Sequence, residues 1–189
     1  YLGTNLGIFT PEENIYLSYV TNELGLCGIQ VGAVLGFAAE LYEKGILTKE
    51  DLDGIELEWG NAEAFTALTE KIASREGIGD ILAEGVYRAA LKLGRMKGID
   101  LMKYAVHEKG VAIGAHGVRS RKDFVTENIS YACSVQAGDH TSVASLPIDQ
   151  WHGELSSIMH DSAVYCLFDT FALEDVEIFN FFKAVTGWK

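Results

Sequence analysis

One stretch of the sequence decides the fold, Gly28-Ile-Gln-Val-Gly-Ala-Val-Leu-Gly-Phe-Ala-Ala-Glu-Leu-Tyr42. Its apolar residues recur at intervals of three and four, the spacing that places side chains on one face of an α-helix. Gly28, Gly32 and Gly36 share a face on which another length of backbone can approach closely. The pattern predicts a buried and closely packed helix.

Helical patterns continue on both sides of this stretch. Thr10-Pro-Glu-Glu13 has the composition of a capping box, and it predicts a helix that reaches about Leu24. Two amphipathic helices that begin near Asn61 and Gly79 are predicted to form a hairpin. Further helices are predicted from about Asp149 and Leu173, and a brief strand or an extended loop over residues 55–59.

The periodicity fails from about Lys109 to Asp139, where glycine, histidine, serine and arginine accumulate. A long irregular segment inside a helical chain usually carries function. The predicted fold class is therefore all-α and multihelical, with a long irregular loop around residues 109–139. The predicted domains are a helical domain over 1–108 and an incomplete second helical region over 109–189.

The composition excludes several classes of protein. A formal net charge of -12 argues against a nucleic-acid-binding surface, which needs clustered lysine and arginine. The apolar residues form short runs broken by charge, so no membrane span is predicted. Three widely spaced cysteines do not form the framework of a secreted disulfide-rich protein. A reducing, cytoplasmic location is expected.

The two ends of the chain predict that it is a piece of a longer protein. It begins at Tyr1 rather than at methionine, and it stops at Lys189 inside a helical pattern. The rather high apolar content, 48% of residues, then predicts an exposed apolar face or a homo-oligomer that buries it.

Two segments share one plan, Asn22-Glu-Leu-Gly-Leu-Cys27-Gly28 and Asp161-Ser-Ala-Val-Tyr165-Cys166-Leu167. In each, a short polar residue is followed five positions later by cysteine, at a predicted junction of helix and loop. Such a junction presents backbone and side-chain hydrogen-bonding groups at one place. Two helix ends with buried thiols explain the spacing equally well.

In order and spacing, the chain resembles the aldehyde ferredoxin oxidoreductase family over nearly its whole length. The segments that carry the resemblance are 22–27, Glu40-Leu-Tyr-Glu-Lys-Gly-Ile-Leu47, Trp59-Gly60, 71–85 and Lys109-Gly110. In that family, two segments like those described above hold the two pterins of a tungsten cofactor. The resemblance implies these cofactor-binding residues: Asn22, Gly25, Leu26, Cys27, Asp161 and Tyr165.

The resemblance also implies a metal ligand. Cys166 stands where the family has the distant fourth ligand of a [4Fe–4S] cluster, whose other three cysteines lie upstream. A cluster needs four thiolates and this chain has three cysteines, so the chain alone is expected to hold neither cluster nor pterin and to be inactive.

The stretch from Tyr131 to His140 resembles the family segment whose histidine lies beside the tungsten. His140 is therefore the catalytic candidate, because a neutral imidazole there can donate or accept a proton. A histidine that only hydrogen-bonds Asp139 or a loop carbonyl is the structural alternative. Asp139 replaces a usual cysteine and is expected in the cofactor site. Arg119 fits a cofactor phosphate or a carboxylate, or is an exposed loop residue.

The resemblance implies that the full-length protein is a tungsten (or molybdenum) bis-pterin, iron–sulfur oxidoreductase. Its substrate would be an aldehyde or acyl compound, and its partners a ferredoxin or similar electron carrier and the N-terminal pterin domain of the same chain. One departure, His116-Gly-Val-Arg119 in place of Tyr-Asp-Pro-Arg, favours as an alternative the branch that reduces aromatic thioester rings, the benzoyl-CoA type. A third hypothesis, from another class, is a non-catalytic helical assembly module.

Overall fold

The computed structural model describes residues 1–115, 131, 137–139, 162–164 and 172–188. These residues are mostly helical, which confirms the predicted fold class. The helices are α1 (Pro11–Glu23), α2 (Gly28–Glu43), α3 (Ala62–Ser74), α4 (Ile78–Leu82), α5 (Gly85–Lys97) and α6 (Asp175–Thr186). Short 3-10 helices cover Thr4–Leu6 and Met102–Tyr104, and strands β1 (His107–Glu108) and β2 (Val111–Ala112) form an antiparallel pair.

The chain divides into two compact units. Of the described residues, the first unit includes 1–115 and 137–139, and the second includes Tyr131, 162–164 and 172–188. The first unit contains α1 to α5 and the β-hairpin, whereas the second contains α6. The domain division between residues 108 and 109 stays a prediction.

Helix α2 forms the centre of the first unit. Leu35, Ala38 and Leu41 have no exposed surface, and burial of one leucine side chain contributes roughly 1.5–3 kcal/mol. The predicted close approach occurs at Gly32, where a Cβ atom would lie 2.5 Å from the Tyr1 carbonyl oxygen. At Gly36 the nearest atom would be the Asn5 Nδ2, at 3.4 Å, so the packing is looser there.

Helix α1 does not begin with the predicted capping box. Thr10 is its N-cap in an extended conformation, but the Thr10 side chain makes no capping hydrogen bond. The helix begins instead with Pro11, whose missing N–H costs nothing in the first turn, and with two glutamates that complement the helix dipole. A reciprocal cap occurs at α6, where the Glu174 backbone N–H donates to Glu177 Oε2 over 2.8 Å.

The predicted second helix of the hairpin is two helices, α4 and α5. The helix breaks at Gly85, whose φ of 82° lies in the left-handed region where a right-handed helix cannot continue. Helix α4 packs directly on α3, because a Cβ at Gly79 would overlap the Lys71 carbonyl. The Asn61 side chain caps α3 by accepting from the Ala64 N–H at 3.1 Å.

The stretch predicted to be irregular from residue 109 begins inside the β-hairpin. Lys109 and Gly110 both have positive φ, the conformation of the tight type I′ turn that joins two antiparallel strands. Residues 55–59 form an extended loop rather than a strand, with Leu57 buried. The β-hairpin was not predicted because a two-residue strand gives too short a pattern to detect.

Within the described residues, no single helix is both long and apolar enough to cross a membrane. Helices α1 and α2 reach that length and composition only as a pair, and the pair is bent by 115°. Helix α2 is mostly buried in the first unit.

Candidate cofactor site

The first of the two matched segments forms a tight turn between α1 and α2. Helix α1 ends at Glu23, and Gly25 follows in the left-handed conformation with φ of 69°. The Leu26 N–H donates to the Thr21 carbonyl at 3.0 Å, which closes the last turn as in a Schellman motif. The half-buried Leu26 packs against the core and so holds the turn in place.

The turn leaves polar groups open on its outer side. Asn22 and Cys27 are exposed, and the Cys27 thiol is free. The first intrahelical bond of α2 runs from the Val31 N–H to the Cys27 carbonyl at 2.9 Å. The three N–H groups before it, of residues 28–30, have no acceptor among the described residues. They therefore concentrate hydrogen-bond donors and the positive end of the helix dipole at one place.

Gln30 attaches the β-hairpin to this end of α2. Its Nε2 donates to the Ala112 carbonyl at 3.1 Å, and its Oε1 accepts from the Ala112 N–H at 3.3 Å. The side chain thus pairs with β2 as a neighbouring strand would. Sequence reasoning missed Gln30, and no local signal could have identified it, since its partner lies 82 residues away.

Asp139 reaches the same part of the first unit through the glycine before it. A Cβ at Gly138 would overlap the Val111 carbonyl, so this segment lies directly against β2. The pKa of the Tyr1 phenol is raised, first by burial and then by the charge of Asp139. Since the Tyr1 carbonyl lies against Gly32, a continuous set of contacts links Asp139, β2 and the first half of α2.

Five of the predicted site residues lie in the first unit: Asn22, Gly25, Leu26 and Cys27 in the turn between α1 and α2, and Asp139 next to Gly138, whose backbone lies against β2. Five others lie outside the described residues and stay predictions: Arg119, His140, Asp161, Tyr165 and Cys166. Within the part of the chain that is described, no three histidine, cysteine, aspartate or glutamate side chains gather as a metal site.

Comparison with known families adds the deciding observation. The model of a family described as aldehyde ferredoxin oxidoreductase, domains 2 and 3, matches residues 1–189. The chain belongs to the aldehyde ferredoxin oxidoreductase family. The recognition from sequence motifs is confirmed, and the relatives that the chain matches are oxidoreductases.

Curated relatives of the chain include proteins of Pyrococcus furiosus and Thermococcus kodakarensis. It is 62% identical over 170 residues to the aliphatic sulfonate oxidoreductase, WOR-like subunit, of Pyrococcus furiosus, covering 90% of this chain and 27% of the relative. It is 35% and 34% identical over 203 residues to tungsten-containing aldehyde ferredoxin oxidoreductases of Pyrococcus furiosus and Thermococcus kodakarensis, covering 99% of this chain and 33% of each. The chain thus spans a third or less of their length.

Among solved structures, the chain is similar to the active-site complex BamBC of benzoyl coenzyme A reductase with 1,5-dienoyl-CoA. The TM-score is 0.48 and the identity is 38%, over 55% of this chain and 15% of the other. This degree of superposition does not discriminate between substrates.

Proposed function

We propose that this chain supplies part of the cofactor cradle of a tungsten-containing bis-pterin oxidoreductase. The observation that carries the proposal is the α1–α2 turn. In a chain that matches the family over its whole length, this turn exposes Asn22, Cys27 and the unpaired N–H groups that open α2. The similarity to two tungsten-containing aldehyde ferredoxin oxidoreductases supports tungsten as the metal, with molybdenum as the alternative.

The residues of the turn fit a pterin. A pterin ring presents both donors and acceptors, and an asparagine amide such as Asn22 can match both. The N–H groups of residues 28–30 suit an anionic group such as the cofactor phosphate. At Gly25 no atom of the described residues lies within 4 Å of the Cβ position, so a flat ring can approach this side of the turn. The bound cofactor would supply two-electron redox chemistry, while the chain binds and orients it.

Residues outside the described part complete the proposal. Asp161 and Tyr165 would hold the second pterin, and Arg119 would pair with a phosphate. His140 would move a proton at its imidazole nitrogen during turnover. Cys166 would complete a [4Fe–4S] cluster with three cysteines from the rest of the parent protein, because this chain has three cysteines in all, at scattered positions. On this proposal the isolated chain is inactive and holds no cofactor.

The proposed substrate of the parent protein is an aldehyde or acyl compound. A second candidate, an aliphatic sulfonate, is favoured by one specific observation, the 62% identity to an aliphatic sulfonate oxidoreductase subunit. No described residue favours the aromatic-thioester branch or the assembly module, since the altered segment 116–119 lies outside the described part.

Metal and dye assays on the parent protein test the proposal. After anaerobic purification we expect tungsten and iron in stoichiometric amounts, and reduction of a low-potential dye by aldehydes. Faster reduction with aliphatic sulfonates would select the second candidate, and dye oxidation by aromatic thioesters the ring-reducing alternative. Tungsten, molybdenum and iron all near zero would contradict every enzyme hypothesis and leave the assembly module.

Two histidine substitutions distinguish a role in catalysis from a role in folding. We expect His140→Ala to abolish turnover while the tungsten content is retained. The matched control is His107→Ala, because His107 packs edge-on against Tyr87 at 4.8 Å between ring centroids and is assigned no role in turnover. Loss of turnover in both variants, or in neither, would contradict the proposed role of His140.

Electron exchange with a ferredoxin-type carrier, a cytoplasmic location and a homo-oligomer are parts of the same proposal. The exposed apolar side chains Ile15, Tyr16 and Tyr19 on α1 support burial against another surface. Light scattering of the parent protein tests the oligomer, and a monodisperse monomer would contradict it. Cell fractionation tests the location.

A further inference from the structure

A second site lies beside the later turns of α2. It is a cavity of about 360 Å³ in the first unit, and Gly36, Glu40, Trp59 and Tyr104 are among the residues that line it. Gly36 and Glu40 follow Gly28 by eight and twelve residues, so Glu40 lies roughly 18 Å along the helix axis from the cofactor turn. The Glu40 end of the cavity therefore lies well away from that turn.

The charged group in the lining is a carboxylate, and the ammonium groups of Lys44 and Lys103 lie near the lining residues Glu40 and Tyr104. Of the described residues that line the cavity, Glu40 is the one that carries a formal charge, and the aromatic rings of Trp59 and Tyr104 add negative electrostatic potential over their faces. Most of the other lining residues are apolar. One wall is fixed by the hydrogen bond from the Ile113 N–H to the Val106 carbonyl, at 3.2 Å. A ligand with a cationic end and a small apolar body matches these walls.

An ammonium group of the chain itself already lies close to both recognition groups. The Lys44 Nζ is 3.6 Å from Glu40 Oε1 and 5.7 Å from the centroid of the Tyr104 ring, while the Lys103 Nζ is 4.8 Å from the same ring. The Lys44 and Glu40 side chains are 39% and 38% exposed, and an exposed pair of this kind is weak. A competing cation can therefore displace Lys44 from the carboxylate.

We propose that this cavity binds a small organic cation, a primary ammonium on a compact apolar group, which replaces the Lys44 Nζ at Glu40. The ammonium pairs with the Glu40 carboxylate, and the apolar group lies against Gly36 and the two aromatic rings. This site goes beyond the proposed redox function and does not depend on it.

The test is a titration of the full 189-residue chain with three probes of similar size. Binding is measured by calorimetry and by the shifts of the amide resonances of Gly36 and Gly114. We expect benzylammonium to bind saturably, and benzyl alcohol to bind roughly twofold to fivefold more weakly because it lacks the charge. Phenylacetate, an anion, should not bind.

Three variants test the geometry. Glu40→Gln should weaken the binding of benzylammonium roughly twofold to fivefold, because the ion pair is lost. Lys44→Met should strengthen it, because the internal competitor is gone. Lys49→Met is the matched control, since Lys49 pairs with Glu56 outside the cavity, and it should leave the affinity unchanged.

Each remaining outcome overturns the proposal. Weaker benzylammonium binding in Lys44→Met together with phenylacetate binding would mean an anion site that uses the lysines. Equal affinities for benzyl alcohol and benzylammonium would mean an apolar cavity without charge recognition. No saturable binding of benzylammonium by the folded chain would mean that the cavity takes no ligand of this class.

Discussion

The α1–α2 junction and the α3–α5 hairpin solve the same local problem, the reversal of a helix, in different ways. In the hairpin, Arg75 pairs with Asp80 at 3.0 Å and with Glu84 at 2.8 Å, and Arg88 pairs with Glu84 at 3.2 Å. At the junction no such pairing is possible within the segment, because no lysine or arginine occurs before Lys44. The junction keeps donors and polar side chains open, whereas the hairpin pairs its own charges.

This difference distinguishes the residues of the first unit that are expected to determine stability from those that are expected to bind the cofactor. The hairpin pairs its charged side chains internally, whereas the N–H groups of residues 28–30 have no acceptor among the described residues, as is expected where a ligand supplies the partners. Substitutions in the hairpin should therefore change unfolding. Substitutions on the open side of the junction should change cofactor content and leave the fold intact.

The largest expected effect is on the hairpin core. Phe65 of α3 has no exposed surface, so Phe65→Ala should lower the free energy of unfolding by about 3–5 kcal/mol through lost burial and a cavity. Phe9, just before α1, is 78% exposed, and Phe9→Ala is the control with little expected loss. Urea denaturation measures both, and equal losses would contradict the burial of Phe65 in the core.

Backbone contact between α3 and α4 gives the next effect. Gly79→Ala should destabilise by roughly 1–3 kcal/mol, because its Cβ overlaps the Lys71 carbonyl. Gly36→Ala is the matched control, since its Cβ would meet the Asn5 amide at 3.4 Å and alanine is the better helix former. Thermal unfolding that ranks the two variants in the opposite order would show that α3 and α4 are not in backbone contact.

A smaller and local effect is expected where Gln30 joins the β-hairpin to α2. Gln30→Ala removes two hydrogen bonds to Ala112, each of which contributes about 1 kcal/mol. Hydrogen exchange should quicken at the Ala112 amide and stay unchanged at Phe65, which serves as the internal control. Unchanged exchange at Ala112 would mean that Gln30 does not attach β2 to α2.

The smallest effect is expected from the pH-dependent ion pair between Lys97 and Asp51, beside the α3–α5 hairpin. The hydrogen bond from Lys97 is the main cause that lowers the pKa of Asp51. A lowered folded-state pKa gives stability that is present above the ordinary value of about 3.9 and is lost as pH falls through the folded value. Lys97→Met should therefore cost roughly 0.5 kcal/mol at pH 7 and progressively less below about pH 4. A difference that does not depend on pH would exclude this pair as its source.

Much of the scaffold could be predicted from the sequence because helical periodicity is a local signal. The stretch 28–42 predicted α2, and Asn61 marked the start of α3. The break at Gly85 was missed because apolar spacing continues through it, and the Thr10 capping box was wrong because composition does not fix side-chain conformation. Contacts across long separations, such as Gln30 with Ala112, leave no local pattern.

Parts of the candidate site could likewise be predicted from local sequence, and parts could not. The sequence identified the segment 22–27 because Asn22 and Cys27 stand five positions apart at a predicted helix end, in a chain that resembles the family. It did not reveal that Gly138 brings Asp139 against β2, because that depends on the absence of a Cβ at a tertiary contact. The further cavity was also missed, since its lining residues come from separate segments.

The most direct test of the central claim is the cofactor content of the parent protein with Gly28→Asp at the junction. Among the described residues, a Cβ at Gly28 would meet only Leu2 Cδ1, at 3.5 Å, so the substitution fits, and an acidic residue at a helix N-terminus favours the helix. It would repel an anionic cofactor from the N–H groups of residues 28–30. We expect tungsten and pterin per protein to fall at least roughly tenfold in Gly28→Asp and to stay within about twofold in Gly28→Ala, at unchanged unfolding midpoints. Unchanged tungsten and pterin in Gly28→Asp would contradict the claim that this junction holds the cofactor.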